Sequence, residues 1–218
     1  MAKASLKLVE SKKEIEKRIV KALAIDINKA LDKVITRSLK PIQDLVKISI
    51  LNQPEVSSLS GGQLAGEFGL PDGRNRIESI VQIWTKGIKI SKNKAILKNG
   101  KIQAGFTINM VPSDYSDVLS SPFAALVTEK GQQLNWLEWL LRFGDRAIIR
   151  DYNITFDSSK TKRSRTGIAI MQGARGSTWR VPPQFAGTDN NNFVTRALDD
   201  IQDEVTLIIQ NQLKSAIR

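Results

Sequence analysis

The sequence contains no cysteine and no histidine in 218 residues. The first absence removes disulfides, thiolate nucleophiles and every zinc site built on sulfur. The second removes the Ser-His-Asp triad, the ordinary catalytic zinc site and the one side chain that titrates near neutrality. Composition therefore speaks against most familiar hydrolases, while carboxylate and lysine chemistry stay open. Long apolar runs are missing too. The longest uncharged stretches, such as Ile102 to Ser113 and Val118 to Thr128, carry polar residues throughout and fall well short of the roughly 18 apolar residues of a membrane span. Met1-Ala2-Lys3-Ala4-Ser5-Leu6-Lys7 enters a charged stretch without the apolar segment of a secretory signal, so synthesis in the cytoplasm and no membrane partner are expected. Acid is the scarcer charge, with 22 Asp and Glu against 33 Lys and Arg and a formal charge of +11.

What is present suffices for a core: 41% of residues are apolar, and a chain of this length buries roughly 70% of its unfolded surface. From Ser11 to Leu51, Ile15, Ile19, Leu23, Ile27, Leu31, Val34, Leu39, Ile42, Leu45 and Val46 recur at intervals of mostly three and four, one stripe on a long helix. Pro41 lacks a backbone donor and disfavours helix at Lys40, so a kink or break is expected there. The first helix would then run about 28 residues, roughly 40 Å, and Pro41 would open a second. Residues 1–50 hold twelve Lys and Arg against six Asp and Glu, which fits either an arm or interface or a solvated helix face.

Residues 52–76, punctuated by Pro54, Gly61, Gly62, Gly66, Gly69, Pro71 and Gly73, read as a loop with at most a short helix near Gln63 to Phe68. Ile77 to Ile90 reads as a strand interrupted near Lys86-Gly87. Ile102, Ala104, Phe106, Ile108 and Met110 alternate with polar residues or glycine after Asn99-Gly100, which predicts a hairpin with a type I′ turn. Ser121-Pro122 opens a helical region, and Gln133 to Phe143 reads as a helix with Leu134, Leu137, Leu140 and Leu141 on one stripe, ended by Gly144. Arg146 to Phe156 and Ile168 to Met171 read as strands flanking a loop. Thr188 or Asp189 then caps a last helix in which Phe193, Ala197, Leu198, Ile201, Val205, Ile208, Ile209, Leu213, Ala216 and Ile217 repeat at helical spacing. The expected fold is α+β in a single domain over residues 1–218. A long N-terminal helical arm (about 11–51) and a C-terminal helix (about 189–217) would pack on a mainly antiparallel β-sheet, with a helical insertion.

Few motifs carry chemistry. Leu59-Ser60-Gly61-Gly62-Gln63 spells the signature pentapeptide of ABC-transporter ATPases, but no G-x-x-x-x-G-K-[ST] loop accompanies it, so it reads as a glycine turn before a short helix. Lys160, Lys162, Arg163 and Arg165 concentrate four cations in one loop, with Arg175 and Arg180 downstream. They suit phosphate, an acidic partner, subunit contact or plain solvation. Trp179 and Arg180 precede Val181-Pro182-Pro183-Gln184-Phe185 and are of the types that dominate interface hot spots; alternatively, Trp179 and Phe185 cover the sheet. Trp136 and Trp139 coincide with the leucine stripe and read as core. Glu138, Asp145 and Asp151, and Asp199, Asp200, Asp203 and Glu204 on the polar face of the last helix, announce no acid–base pocket.

The layout resembles the neck or tail-completion proteins of tailed bacteriophages. The likeness rests on the long N-terminal helix, the turn Ser60-Gly61-Gly62-Gln63-Leu64, the hairpin, and the run from Pro182-Pro183-Gln184-Phe185 through Asn190-Asn191-Asn192 to Phe193-Val194-Thr195-Arg196-Ala197-Leu198 leading into the last helix. Relative to the shorter siphophage members, Ser113 to Asp145 reads as an insertion. The resemblance implies a structural virion protein, not an enzyme, with no cofactor and no catalytic or metal-binding residue. It would form a ring homo-oligomer at the head–tail junction, joining the connector to the tail as a completion or terminator protein. Its partners would be itself, neighbouring neck, portal-adaptor and tail-tube proteins, with the loop from Lys160 to Arg165 reaching an adjacent protein or the passing duplex DNA. The alternative from charge alone is a basic cytoplasmic nucleic-acid-binding protein acting through residues 1–50 and that loop.

Overall fold

A computed structural model describes residues 11–98, 101–111, 114–127, 131–156 and 164–217. Its axis is α1 (Lys12–Leu51). The Ser11 hydroxyl accepts from the Glu14 amide at 3.3 Å while the Glu14 carboxylate accepts from the Ser11 amide at 2.8 Å, a reciprocal cap that satisfies two end donors. The expected break at Pro41 does not occur: α1 runs through it as one helix of 40 residues, about 60 Å long. Ser38 and Ile42 on either side are wholly buried while Pro41 is exposed. Packing therefore fixes the helix across the missing hydrogen bond, and water can serve the freed carbonyl on the open side.

Two short helices follow where a loop with at most one was expected. Pro54 opens α2 (Pro54–Leu59) at its first turn, and α3 (Gln63–Phe68) ends on left-handed Gly69. The larger correction is α4 (Gly73–Gly87), which occupies the segment expected as a strand. Its buried Ile77, Ile80, Val81 and Trp84 are spaced three, four and seven apart, a helical face despite their β-branched character. Gly73 starts it because a Cβ there would lie 2.0 Å from the Leu59 carbonyl oxygen.

The hairpin is as expected: β1 (Lys89–Lys98) pairs antiparallel with β2 (Lys101–Asn109), closing at Lys98 opposite Lys101; its turn residues, Asn99 and Gly100, lie outside the described residues. The register slips between Asn93 and Ile96. This bulge turns the Ala95 amide onto the Asn28 side-chain oxygen at 3.1 Å, and Lys92 reaches Asp32 at 2.6 Å, so α1 supplies the partners that the ladder gives up.

After α5 (Ser116–Leu119), β3 (Leu126–Val127) pairs with β4 (Gln133–Leu134). Gln133 and Leu134 are thus strand, and the expected helix starts later, as α6 (Trp136–Arg142). β5 (Ile149–Thr155) pairs with β6 (Ile170–Trp179). The strands form three two-stranded antiparallel ribbons among the described residues, in place of one sheet.

The last helix is capped by Asn192, not by Thr188 or Asp189, and is divided into α7 (Phe193–Asp199) and α8 (Gln202–Ile217). Both pack on α1, and the Ser49 hydroxyl donates to the Ala197 carbonyl at 2.8 Å. One hydrophobic core joins α1 from Val34 onward to α4, α6, α7 and α8. In it Trp84 meets Phe193 edge-on at 6.1 Å, and Phe68 touches Trp136, Trp139 and Trp179. No helix among the described residues is long and apolar enough to cross a membrane.

Candidate assembly interface

The residues singled out from sequence fall in different places. Lys160, Lys162 and Arg163 lie outside the described residues. Arg165 is exposed and lines a cleft of about 230 Å³, whereas Arg175 and Arg180 are exposed on β6 and just beyond it and do not line that cleft. Trp179 lines the same cleft as Arg165 but is 7% exposed, so its reading as a surface anchor is corrected. Its ring packs on Phe68 and Trp139 and its indole N–H donates to Glu67 at 2.9 Å.

Glu67, which sequence reasoning missed, is the most chemically distinctive group there. Gln63 donates to its other oxygen at 2.6 Å, and Gln184 donates to Gln63 at 3.2 Å. Burial pushes its carboxyl above the usual range, against the pull of the Gln63 and Trp179 hydrogen bonds. Through these two bonds Glu67 joins α3 to β6 at the wall of the cleft.

A second buried polar centre is built on Asn192. Its side-chain oxygen accepts from the Val194 and Thr195 amides at 3.0 and 3.1 Å, and its amide nitrogen donates to the Tyr115 hydroxyl at 2.7 Å, the Thr188 carbonyl at 3.0 Å and the Leu141 carbonyl at 3.3 Å. Gly187 lets this loop close on α6, since a Cβ there would sit 2.2 Å from the Leu140 carbonyl oxygen. The sequence signal was Asn192 three residues before Thr195, a reciprocal cap. Nearby, Arg196 donates to Glu55, whose carboxylate is fully buried. These centres hold the fold together; no cluster of three His, Cys, Asp or Glu able to hold a metal exists among the described residues.

Exposure concentrates elsewhere. No residue from Lys12 to Ala30 is buried, although the stripe of Ile15, Ile19, Leu23 and Ile27 continues directly into buried Leu31 and Val34. Ile19 is 54% exposed and Leu23 47%, while on the hairpin Ile96 is 56% and Leu97 55% exposed. Val20 and Leu97 line one cleft, which sets the hairpin tip beside the start of α1. Residues 89–109 carry five lysines and no carboxylate. Lys92 is paired with Asp32; Lys89, Lys94, Lys98 and Lys101 are exposed and have no ion pair among the described residues. This arm, apolar at its centre and cationic around it, has the composition of a binding surface. No protein family, curated protein or solved structure matches the chain.

Proposed function

We propose that the protein is a structural subunit of a tailed bacteriophage that assembles into a ring at the head–tail junction and joins the connector to the tail. The observation that carries this reading is the arm. About five turns of α1 and the outer part of a two-stranded hairpin extend from the core, leave every apolar side chain of residues 12–30 at best half-buried, and leave Ile19, Leu23, Ile96 and Leu97 open. A monomer gains nothing from exposing such a stripe, whereas an assembly uses it as contact area. The chain's lack of histidine and cysteine, the engagement of Glu67 with its neighbours, and the layout shared with neck proteins support a role without catalysis. Negative-stain electron microscopy tests it: purified protein mixed with tail tubes or filled heads of the cognate phage should cap tube ends or connectors as rings. Particles that ignore both would sink the proposal.

A second reading, nucleic-acid binding, is favoured by the unpaired lysines of the hairpin. Several phosphate contacts would make duplex affinity fall by orders of magnitude between 50 and 200 mM salt; absence of binding at the low end removes this reading.

A further inference from the structure

We infer that the occupant of the arm is a second copy of this chain, and that it docks on the outer face of α7 and α8. That face is the arm's chemical complement. Between Ala197 and Leu213 the sequence has four carboxylates, Asp199, Asp200, Asp203 and Glu204, and no lysine or arginine. All four are exposed, and none has an ion pair among the described residues. Asp203, Glu204 and Leu207 turn away from Val205 and Ile209, which are buried, so Leu207 stands 56% exposed within the acidic surface. At the adjoining end of α1, Ile48 is 57% exposed. Each surface therefore has apolar contacts ringed by charge of one sign, and the signs are opposite.

Within one molecule the two surfaces are set apart along α1. The Ser49 contact with Ala197 fixes the start of the acidic face, Asp199 and Asp200, near the C-terminal end of α1, while Leu23 lies 26 residues upstream of Ser49 on the same helix, roughly 40 Å away at the helical rise. An arm at one end and its complement at the other make a head-to-tail contact, the kind that generates closed rings when the rotation closes and filaments when it does not. The inference deepens the ring reading and rests on it for the requirement that copies meet.

The absence of native cysteine gives a direct test. The full chain carrying both Ile96→Cys and Leu207→Cys is treated with a short bis-maleimide at low salt. It should yield a ladder of trimers and larger species, because each chain offers two different ends; either single variant, with no second thiol at the contact, should stay monomeric. Adding Lys94→Glu, Lys98→Glu and Lys101→Glu should reduce the ladder on the order of tenfold, and adding Asp200→Lys, Asp203→Lys and Glu204→Lys to that chain should restore it. All these side chains are exposed, and an unchanged melting temperature confirms folding of each variant. No species beyond dimer, or a ladder indifferent to the lysine reversal, overturns the inference. So does loss of duplex binding on lysine reversal with the ladder intact, which would give those lysines to nucleic acid. A ladder without capping of heads or tails defeats the junction reading alone; capping without a ladder defeats the docking alone.

Discussion

The two halves of α1 are one helix with two fates. From Leu31 to Ile50 its inward face is wholly or nearly sealed, and it meets α4, α7 and α8. From Lys12 to Ala30 it carries the same spacing of isoleucine and leucine, yet no residue there is buried among the described residues: Ile15 and Ile27 are half-covered, and Ile19 and Leu23 are exposed. Stability is thereby concentrated in one half of a single element. Substitutions in the inner half are expected to change folding free energy, and substitutions at the exposed positions of the outer half to leave it nearly unchanged, and on the proposed reading to change association instead.

The sharpest break of that contrast is in the body. Trp84→Ala removes one of the two fully buried tryptophans among the described residues, its edge-on contact with Phe193 included, and should cost about 4 kcal/mol in urea denaturation. Asn192→Ala removes the cap of α7 and leaves Tyr115 and two carbonyls without their donor; about 3 kcal/mol is expected by the same measurement. Arg196→Met leaves the buried Glu55 carboxylate without its cation, at a cost of about 3 kcal/mol, the low end for buried pairs because Arg196 is partly open to water.

A pH-dependent difference follows for Glu67. Its carboxyl in the fold holds its proton above the ordinary value of 4.5, so the native state binds more protons than the unfolded one between 4.5 and the raised value. Its contribution is complete below 4.5 and is lost as pH rises through that window. The urea midpoint of Glu67→Gln measured from pH 3.5 to 7 should lack this decline. Subtracting the two curves removes the opposite trend from Asp114, held low by hydrogen bonds from the Ser116 amide and hydroxyl. An identical decline in both proteins would contradict the assignment. The smallest effect belongs to the arm: Leu23→Ser or Ile96→Ser should stay within about 0.5 kcal/mol of the parent. A loss of 2 kcal/mol would mean the arm is part of the core after all.

Local pattern made some of this legible in advance. The hairpin was readable because strict alternation follows Asn99-Gly100, two signals that agree. The segment from Ile77 to Trp84 misled because its β-branched residues suggested a strand, and only the three-and-four spacing, set by burial against α1, decides for helix. Pro41 misled because a backbone penalty of a few kcal/mol is smaller than the packing of Ser38, Ile42 and Val46 around it. For the candidate site, the N-terminal stripe was visible and its exposure was not, since Ile19 and Val34 are indistinguishable until tertiary structure covers one of them. Trp179 had two readings, and its bond to Glu67, 112 residues away, chose between them. The acidic residues of the last helix, read from sequence as lying on its polar face, are all exposed.

The bulge at Ala95 has a mechanical consequence. Asn28 and Asp32, the two side chains that hold the hairpin, are one helical turn apart and flank Leu31, the first buried residue of α1. The hairpin is thus pinned to α1 partway along β1, one turn before the buried stretch begins, with its tip beside Val20 and its base packed on the core through Ile90, Phe106 and Ile108. A sideways load on Ile96 or Leu97 would be passed to α1 through that turn, so Asn28→Ala would slacken the outer part of the hairpin while leaving the packing at its base in place.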